Sequence, residues 1–363
     1  MSSNNLTAAE LFRWQEAGCR LSASPSPFYA ELFRRFALDA DADDHATITG
    51  ILARAPLTLE AAAPLRLMAG VHRGVLEGKL ATVAAAWPSD GKLGDAAAAH
   101  RALNDVFVDP PDVLNDALSR DPQTNEVGRS AALAAGLNEI AARTALPLRL
   151  FEIGSSAGLN LRCDRYTFRA AGPNGACAWG DPVAGVQFLE DAYPNGAPFV
   201  GAAAVIVDRR GCDINPIDAG RSESATRLLS YVWPDQPLRL QRLRAALEIA
   251  ARVPVDIDQA SADDWIEMHV RPVVGNTTVL MHSIMWQYMP KSVQQRVRDL
   301  LEHRGATATA AAPLAWLRLE PAPPGLEAEL RLTVWPNGER QVLATSGFHG
   351  PPVTWATNSP PLA

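Results

Sequence analysis

Leu148 to Leu161, LRLFEIGSSAGLNL, is the stretch on which the fold turns. Leu148–Ile153 is a short apolar run of strand length with an acid, Glu152, at its end. GSSAG follows, and its glycines, Gly154 and Gly158, permit a tight turn in which backbone approaches a ligand with no Cβ in the way. LNLRCDRY then reads as one short helix, whose N-terminus favours polar or anionic groups. Strand, glycine-rich loop and helix in that order make a nucleotide-type loop, although such a turn also occurs where it only connects two elements.

On the N-terminal side of this stretch the periodicity is helical. Phe28, Leu32, Phe33 and Phe36 recur at three- and four-residue spacing, and Pro56, Pro64, Pro88, Pro110 and Pro122 punctuate the segments as prolines at helix boundaries do. Helices are expected at 61–86, 95–107, 111–120 and 126–144, with no strand before Pro147. On the C-terminal side, apolar runs at 201–207, 253–257, 277–282, 314–319 and 330–334 alternate with helical segments at 222–251 and 291–304. Asn337–Gly338 then signals a hairpin. The pattern predicts an α/β protein: an all-helical domain over 1–146, then an α/β domain over 147–363 with a mostly parallel sheet. An irregular or hairpin-rich insertion is expected at about 166–198.

The chain has 363 residues, 47% hydrophobic and 20% charged, which suits a folded globular protein and neither a rod nor a disordered chain. Its 33 basic and 40 acidic residues give a net charge of −7 with no basic block, so phosphate-neutralising contact with nucleic acid gets no support. Cys19, Cys163, Cys177 and Cys212 lie far apart without C-x-x-C or histidines at ligand spacing, which argues against zinc, iron–sulfur clusters and a disulfide framework. The N-terminus lacks a secretory pattern, and the longest apolar stretch, around 197–207, is too short to span a bilayer. A cytoplasmic protein with a small-molecule substrate is expected, with no membrane or metal and with its oligomeric state left open.

Beyond the loop, Asp213 ends the AAVIVDRRGCD run, where a carboxylate can hold vicinal hydroxyls or cap a turn before Asn-Pro. His282 stands at the carboxyl end of TTVLMH, and a histidine there can take a proton or serve as a hydrogen-bonded structural residue. Glu320, ending WLRLEP, is a second acid or base candidate at the same edge, or a solvated strand end. Trp286 and Tyr288 can line a pocket or belong to the core. Thr124–Arg129, TNEVGR, can reach the edge from above, and reads more simply as helix entry.

Two families share features of this loop. The acidic-x-G-x-G-x-G motif of class I S-adenosylmethionine-dependent methyltransferases resembles Glu152, Gly154 and Gly158, with Ser156 in place of the middle glycine. G-x-S-x-G, the nucleophile elbow of α/β-hydrolases, is spelled by Gly154, Ser156 and Gly158, with Asp213 and His282 or His349 to complete a triad. An elbow normally follows several strands and an upstream oxyanion loop, whereas here a long helical segment comes first.

TNEVGR, EIGSSAGLNLRCDRY, RRGCDINPID, the VWPDQ segment and HSIMWQYM together resemble an uncharacterised bacterial family of about this length, which is similar to class I methyltransferases from about Pro147 onwards. The resemblance implies a Rossmann-like seven-stranded sheet in the methyltransferase order and methyl transfer from S-adenosylmethionine to a small molecule. Glu152, Gly154, Ser155, Ser156, Gly158 and Asn160 would cradle the cofactor, and Asp213 its ribose. Ser261 or Asp263, in VDIDQASADDW, would touch the adenine, although Ser261 also suits a helix N-cap with Asp263 in the first turn. His282 or Glu320 would serve as base, with Tyr288 beside them. The alternatives are an esterase with Ser156 as nucleophile and a binding protein that kept the cofactor fold without chemistry.

Overall fold

The computed structural model describes residues 6–22, 25–43, 46–59, 61–89, 92–172, 175–196, 203–322 and 327–356. The chain forms two compact units, 1–124 with 221–241 and 125–220 with 242–363.

The first unit is helical. Thr7 accepts a hydrogen bond from the Glu10 amide and Glu10 reaches back to Thr7, a reciprocal cap that starts helix Ala8–Leu21. Ser26 caps Pro27–Ala42, and Asp235 accepts from the Ser26 hydroxyl at 2.7 Å and the Phe28 amide at 3.0 Å. Asp235 thus helps explain why 221–241 belongs to this unit. The aromatic spacing seen in the sequence produces the core, with Phe12 and Phe36 ring centroids 5.5 Å apart and Phe28 edge-on to Trp87 at 5.0 Å. Ala63–Leu76, Ala96–Val108 and Asp112–Ser119 are further helices of this unit. The continuous helix expected over 61–86 is broken after Leu76, where Gly78 takes φ +71°.

The second unit is built on an eight-stranded sheet. Its first strand in the chain is β1, Leu148–Ile153, as the apolar run predicts. The insertion adds β2 (Thr167–Gly172), β3 (Gly175–Gly180) and β4 (Gln187–Phe188), a separate three-stranded sheet whose core stacks Phe168 on Trp179 at 5.2 Å. The main sheet continues with β5 (Ile206–Asp213), β6 (Asp256–Gln259), β7 (Thr277–Ser283), β8 (Leu314–Pro321), β9 (Glu327–Trp335), β10 (Glu339–Gly347) and β11 (Gly350–Trp355). Residues 201 and 202, at the start of the expected 201–207 run, lie outside the described residues; the strand itself begins at Ile206.

The strand order is β11-β10-β9-β8-β7-β1-β5-β6. Pairs β6–β5, β5–β1, β1–β7 and β7–β8 are parallel, and β8–β9, β9–β10 and β10–β11 are antiparallel. The structure corrects the expected count of seven strands: β11 is the addition, hidden in the sequence by Pro351 and Pro352, which an edge strand tolerates. The C-terminal part is a simple antiparallel meander, with β9 directly following its neighbour β8.

Alternation along β1 sends its side chains to two faces. Phe151 and Ile153 join Leu280 and Trp316 against helices Ala262–His269 and Lys291–Gly305, where burial of each large apolar side chain contributes roughly 1.5–3 kcal/mol. Glu152 shares the opposite face with its register partner Met281 and with Leu317. Helix Ser130–Thr144 packs on that face, and Gly136 lets it come close: a Cβ there would lie 2.8 Å from Leu317 Cδ1. The sequence reading placed this helix before a boundary at Pro147, whereas its packing makes it part of the sheet unit.

Candidate functional site

The carboxyl ends of the parallel strands set the geometry. From β1 the chain passes to β5 and β6 on one side and then returns to β7 on the other, so the connections diverge at β1. In open sheets this is the position where ligands bind.

Glu152 lies at that point, 2% exposed, and its Oε2 has no hydrogen-bond partner among the described residues. Burial pushes its carboxyl well above the usual range. Arg129 opposes the shift, Asp213 adds to it, and Arg162 again opposes it. The loop that follows is bent by Gly154 at φ +66°, Ser156 at +51° and Gly158 at +65°. A serine in this left-handed region costs about 1–2 kcal/mol, so the surrounding structure holds it there. The Ser155 hydroxyl donates to the Glu152 carbonyl at 2.7 Å and its amide to the Cys212 carbonyl at 3.0 Å. Ser156 Oγ is buried and has no hydrogen-bond partner among the described residues.

Arg162, Tyr166 and Ser130, which residue type does not single out, secure this loop together with Asn125 and Asn160. Arg162 donates to the Ala157, Gly158 and Val253 carbonyls at 3.2, 2.8 and 2.7 Å, and the Tyr166 hydroxyl to the Leu159 carbonyl at 2.7 Å. Asn125 accepts from the Leu159 amide at 2.8 Å, and Ser130 donates to Asn160 Oδ1 at 2.7 Å. The segment expected as one short helix is a 3₁₀ turn, Asn160–Arg165, interrupted at Arg162, so the loop opens no α-helix N-terminus there.

The bend is packed. A Cβ on Gly154 would lie 2.9 Å from Met285 Cγ, and one on Gly158 would lie 2.7 Å from Ile257 Cδ1. Both glycines therefore serve a close approach, and in this conformation protein side chains make it.

Asp213 meets the loop from β5. Its Oδ2 accepts from the Ser156 amide and its Oδ1 from the Asn215 amide, each at 2.8 Å, so the carboxylate caps a turn and ties β5 to the bend. Ser261 and Asp263 lie at the start of Ala262–His269. Ser261 occupies the N-cap position and donates to Asp264 at 2.9 Å, while Asp263 meets Arg296 at 3.3 Å.

His282 and Glu320 come together from β7 and β8. His282 Nδ1 stands 2.6 Å from Glu320 Oε1, and the imidazole is wholly buried, stacked on Trp286 at 5.2 Å. Glu320 also accepts from the Met285 and Trp286 amides at 3.2 and 3.4 Å, so it anchors the turn that Ile284 enters at φ +48°. A carboxylate facing Nδ1 favours a proton there; Nε2 is buried and has no partner among the described residues. Glu320 is no solvated strand end. Tyr288 is 70% exposed and lies outside this cluster.

Sheet register separates the groups. Glu152 points to the face of Ser130–Thr144, and His282 and Glu320 to the opposite one. On the Glu152 side, Arg129 donates to the Ser283 and Phe348 carbonyls at 3.1 and 3.0 Å, joining the end of β7 to the β10–β11 turn, where His349 Nδ1 is 3.6 Å from Glu126. His349 forms no triad with Ser156 and Asp213 among the described residues. A recess beside Cys163 and Trp179 and another beside Arg73 and Tyr231 include none of these candidates.

Among the described residues no helix is long and apolar enough to cross a membrane. No curated protein and no solved structure matches the chain. A bacterial family described as "Uncharacterized protein conserved in bacteria (DUF2332)" matches residues 9–355, and the chain belongs to that family.

Proposed function

We propose that the sheet unit is a methyltransferase-like protein that binds S-adenosylmethionine at the carboxyl end of β1 and acts on a small molecule. The observation that carries the reading is Glu152, a buried carboxyl with an unpartnered oxygen at the point where the sheet order reverses, directly before a glycine-bent loop. The acid ending β5, Asp213, and the parallel order β6-β5-β1-β7-β8 support it.

The donor set suits an adenosyl cofactor in kind, and the space in this conformation does not admit one. Met285 and Ile257 fill the approach to the two glycines, and both Asp213 oxygens hold loop amides. Binding on this reading requires the turn after β7 to leave the bend. When bound, the cofactor supplies an activated methyl group for in-line displacement, where positioning provides most of the rate. The chain's own contribution is the fixed His282 tautomer, with Nε2 as the proton acceptor, and Glu320 as the group that orients it.

The packed bend favours a second reading, a protein with the cofactor fold and no methyl transfer. The positive φ of Ser156 suits a nucleophile elbow, but among the described residues its Oγ meets no histidine and β1 alone of the sheet's strands precedes the loop. Calorimetric titration of the full chain with S-adenosylmethionine and S-adenosylhomocysteine tests the proposal. Binding of either, weakened at least tenfold by Asp213→Ala in a folded variant, supports it; no binding of either at millimolar concentration overturns it. Binding without turnover of any acceptor supports the second reading.

A further inference from the structure

A second set of unpartnered polar atoms lies further along the sheet. Register places His282, Arg318 and Arg331 side by side across β7, β8 and β9. Trp316, Thr333 and Arg340 form the adjacent row two residues away along β8 and β9, and residues so related project from one face. Among the described residues, three donors in these rows lack a partner: Arg318 Nε, Trp316 Nε1 and Thr333 Oγ1. Trp316 is 5% exposed and Thr333 1%. Arg318 Cζ lies 3.9 Å from the centroid of the Trp316 ring, so the cation rests against the indole.

The charges do not balance there. Arg331 is paired with Glu329 at 2.7 Å and Arg340 with Glu302 at 2.6 Å, and Glu320 is engaged by His282. Arg298 lies over Trp286 at 5.0 Å. Arg318 has no carboxylate partner among the described residues. Burial first, then Arg331, Arg340 and Arg298, pull its pKa down to about 10, with Glu320 opposing. A half-buried cation without a counter-ion and buried donors without acceptors are each costly. A water would satisfy the donors and leave the charge uncompensated.

We propose that Arg318, Trp316 Nε1 and Thr333 Oγ1 form a binding site for an oxyanion, the carboxylate or phosphate group of a small molecule, on the β8–β9 face. The guanidinium edge offers the planar fork that such groups take bidentately, and the indole N–H and the hydroxyl supply neutral donors beside it. Arg318 is partly exposed, whereas its Nε, Trp316 Nε1 and Thr333 Oγ1 are buried, so an anion meets the Arg318 side chain first. His282 is its neighbour in the register row, so an anion held by Arg318 lies next to the imidazole whatever cofactor the β1 bend accepts.

The test is thermal unfolding of the full chain with inorganic phosphate, sulfate or acetate titrated against chloride at constant ionic strength. A saturable rise in Tm at millimolar concentration with at least one oxyanion, absent in Arg318→Met, is expected. In Thr333→Val the half-saturating concentration should rise severalfold, and this variant carries the test if Arg318→Met does not fold. A phosphate response without an acetate one assigns a tetrahedral anion, and the reverse assigns a carboxylate; both support the site. No saturable response to any of the three, or equal responses in wild type and variants, overturns it, because salting by oxyanions acts without a site.

Discussion

His282 Nδ1 meets Glu320 Oε1 at 2.6 Å inside the sheet unit, and the same carboxylate receives the Met285 and Trp286 amides. One side chain thereby fixes both an imidazole tautomer and the turn that covers Gly154. Glu320→Ala strands these groups, and a loss of about 1–3 kcal/mol for each buried group left unsatisfied is expected in urea unfolding. Glu320→Gln should fold and also change the His282 ring-nitrogen NMR signature, because an amide does not impose the Nδ1–H tautomer. An unchanged signature would remove the orienting role.

Glu152 gives a pH dependence of defined sign. Its carboxyl is held above the ordinary range in the folded state, so the native chain keeps a proton that the unfolded chain releases above about pH 4.5. The stability from this group is complete below that value and declines as pH rises towards the raised one. Glu152→Gln removes the titration. Its stability relative to wild type should climb by about 1.4 kcal/mol per pH unit within that window. A constant offset from pH 4 to 9 would contradict the assignment.

Gly154→Ala combines a left-handed backbone with a Cβ 2.9 Å from Met285 Cγ. A loss of about 1–3 kcal/mol is expected. Adding Met285→Ala should recover the steric part, and a double-mutant cycle measures it as coupling. Additive effects would mean that Met285 yields freely.

Ser156→Gly removes both the strain at φ +51° and an unpartnered hydroxyl. Denaturant unfolding should find it as stable as wild type or up to about 1 kcal/mol more so, since the gain offsets the greater freedom of the unfolded glycine chain. A marked loss would show that Oγ has a partner in solution.

The strands with uniformly apolar runs were legible: Leu148–Ile153, Thr277–Ser283 and Leu314–Pro321 are buried on both faces, so their sequences advertise them. β5 and β6 carry exposed and charged residues near one side of the sheet, and the sequence reading started each a few residues early. Pro351 and Pro352 concealed β11. At the site, residue type marked Glu152, Asp213 and His282, but spacing along the chain does not report sheet face, so the separation of Glu152 from His282 came only with the register. Nor does a glycine disclose what approaches it: Met285 and Ile257 come from distant strands and loops. Arg162 carries no sequence signal because its partners are backbone carbonyls, whereas Arg129 stands out only as part of TNEVGR.

The contact of Arg129 with the Phe348 carbonyl spans 219 residues, and it brackets nearly the whole sheet unit. β1, an interior strand, is synthesised first among the strands of the sheet and acquires its two neighbours, β5 and β7, only much later. Ordering so remote a closure makes assembly slow and leaves an unpaired apolar ribbon waiting during translation. A nascent chain halted before residue 348 would therefore be a client for chaperones.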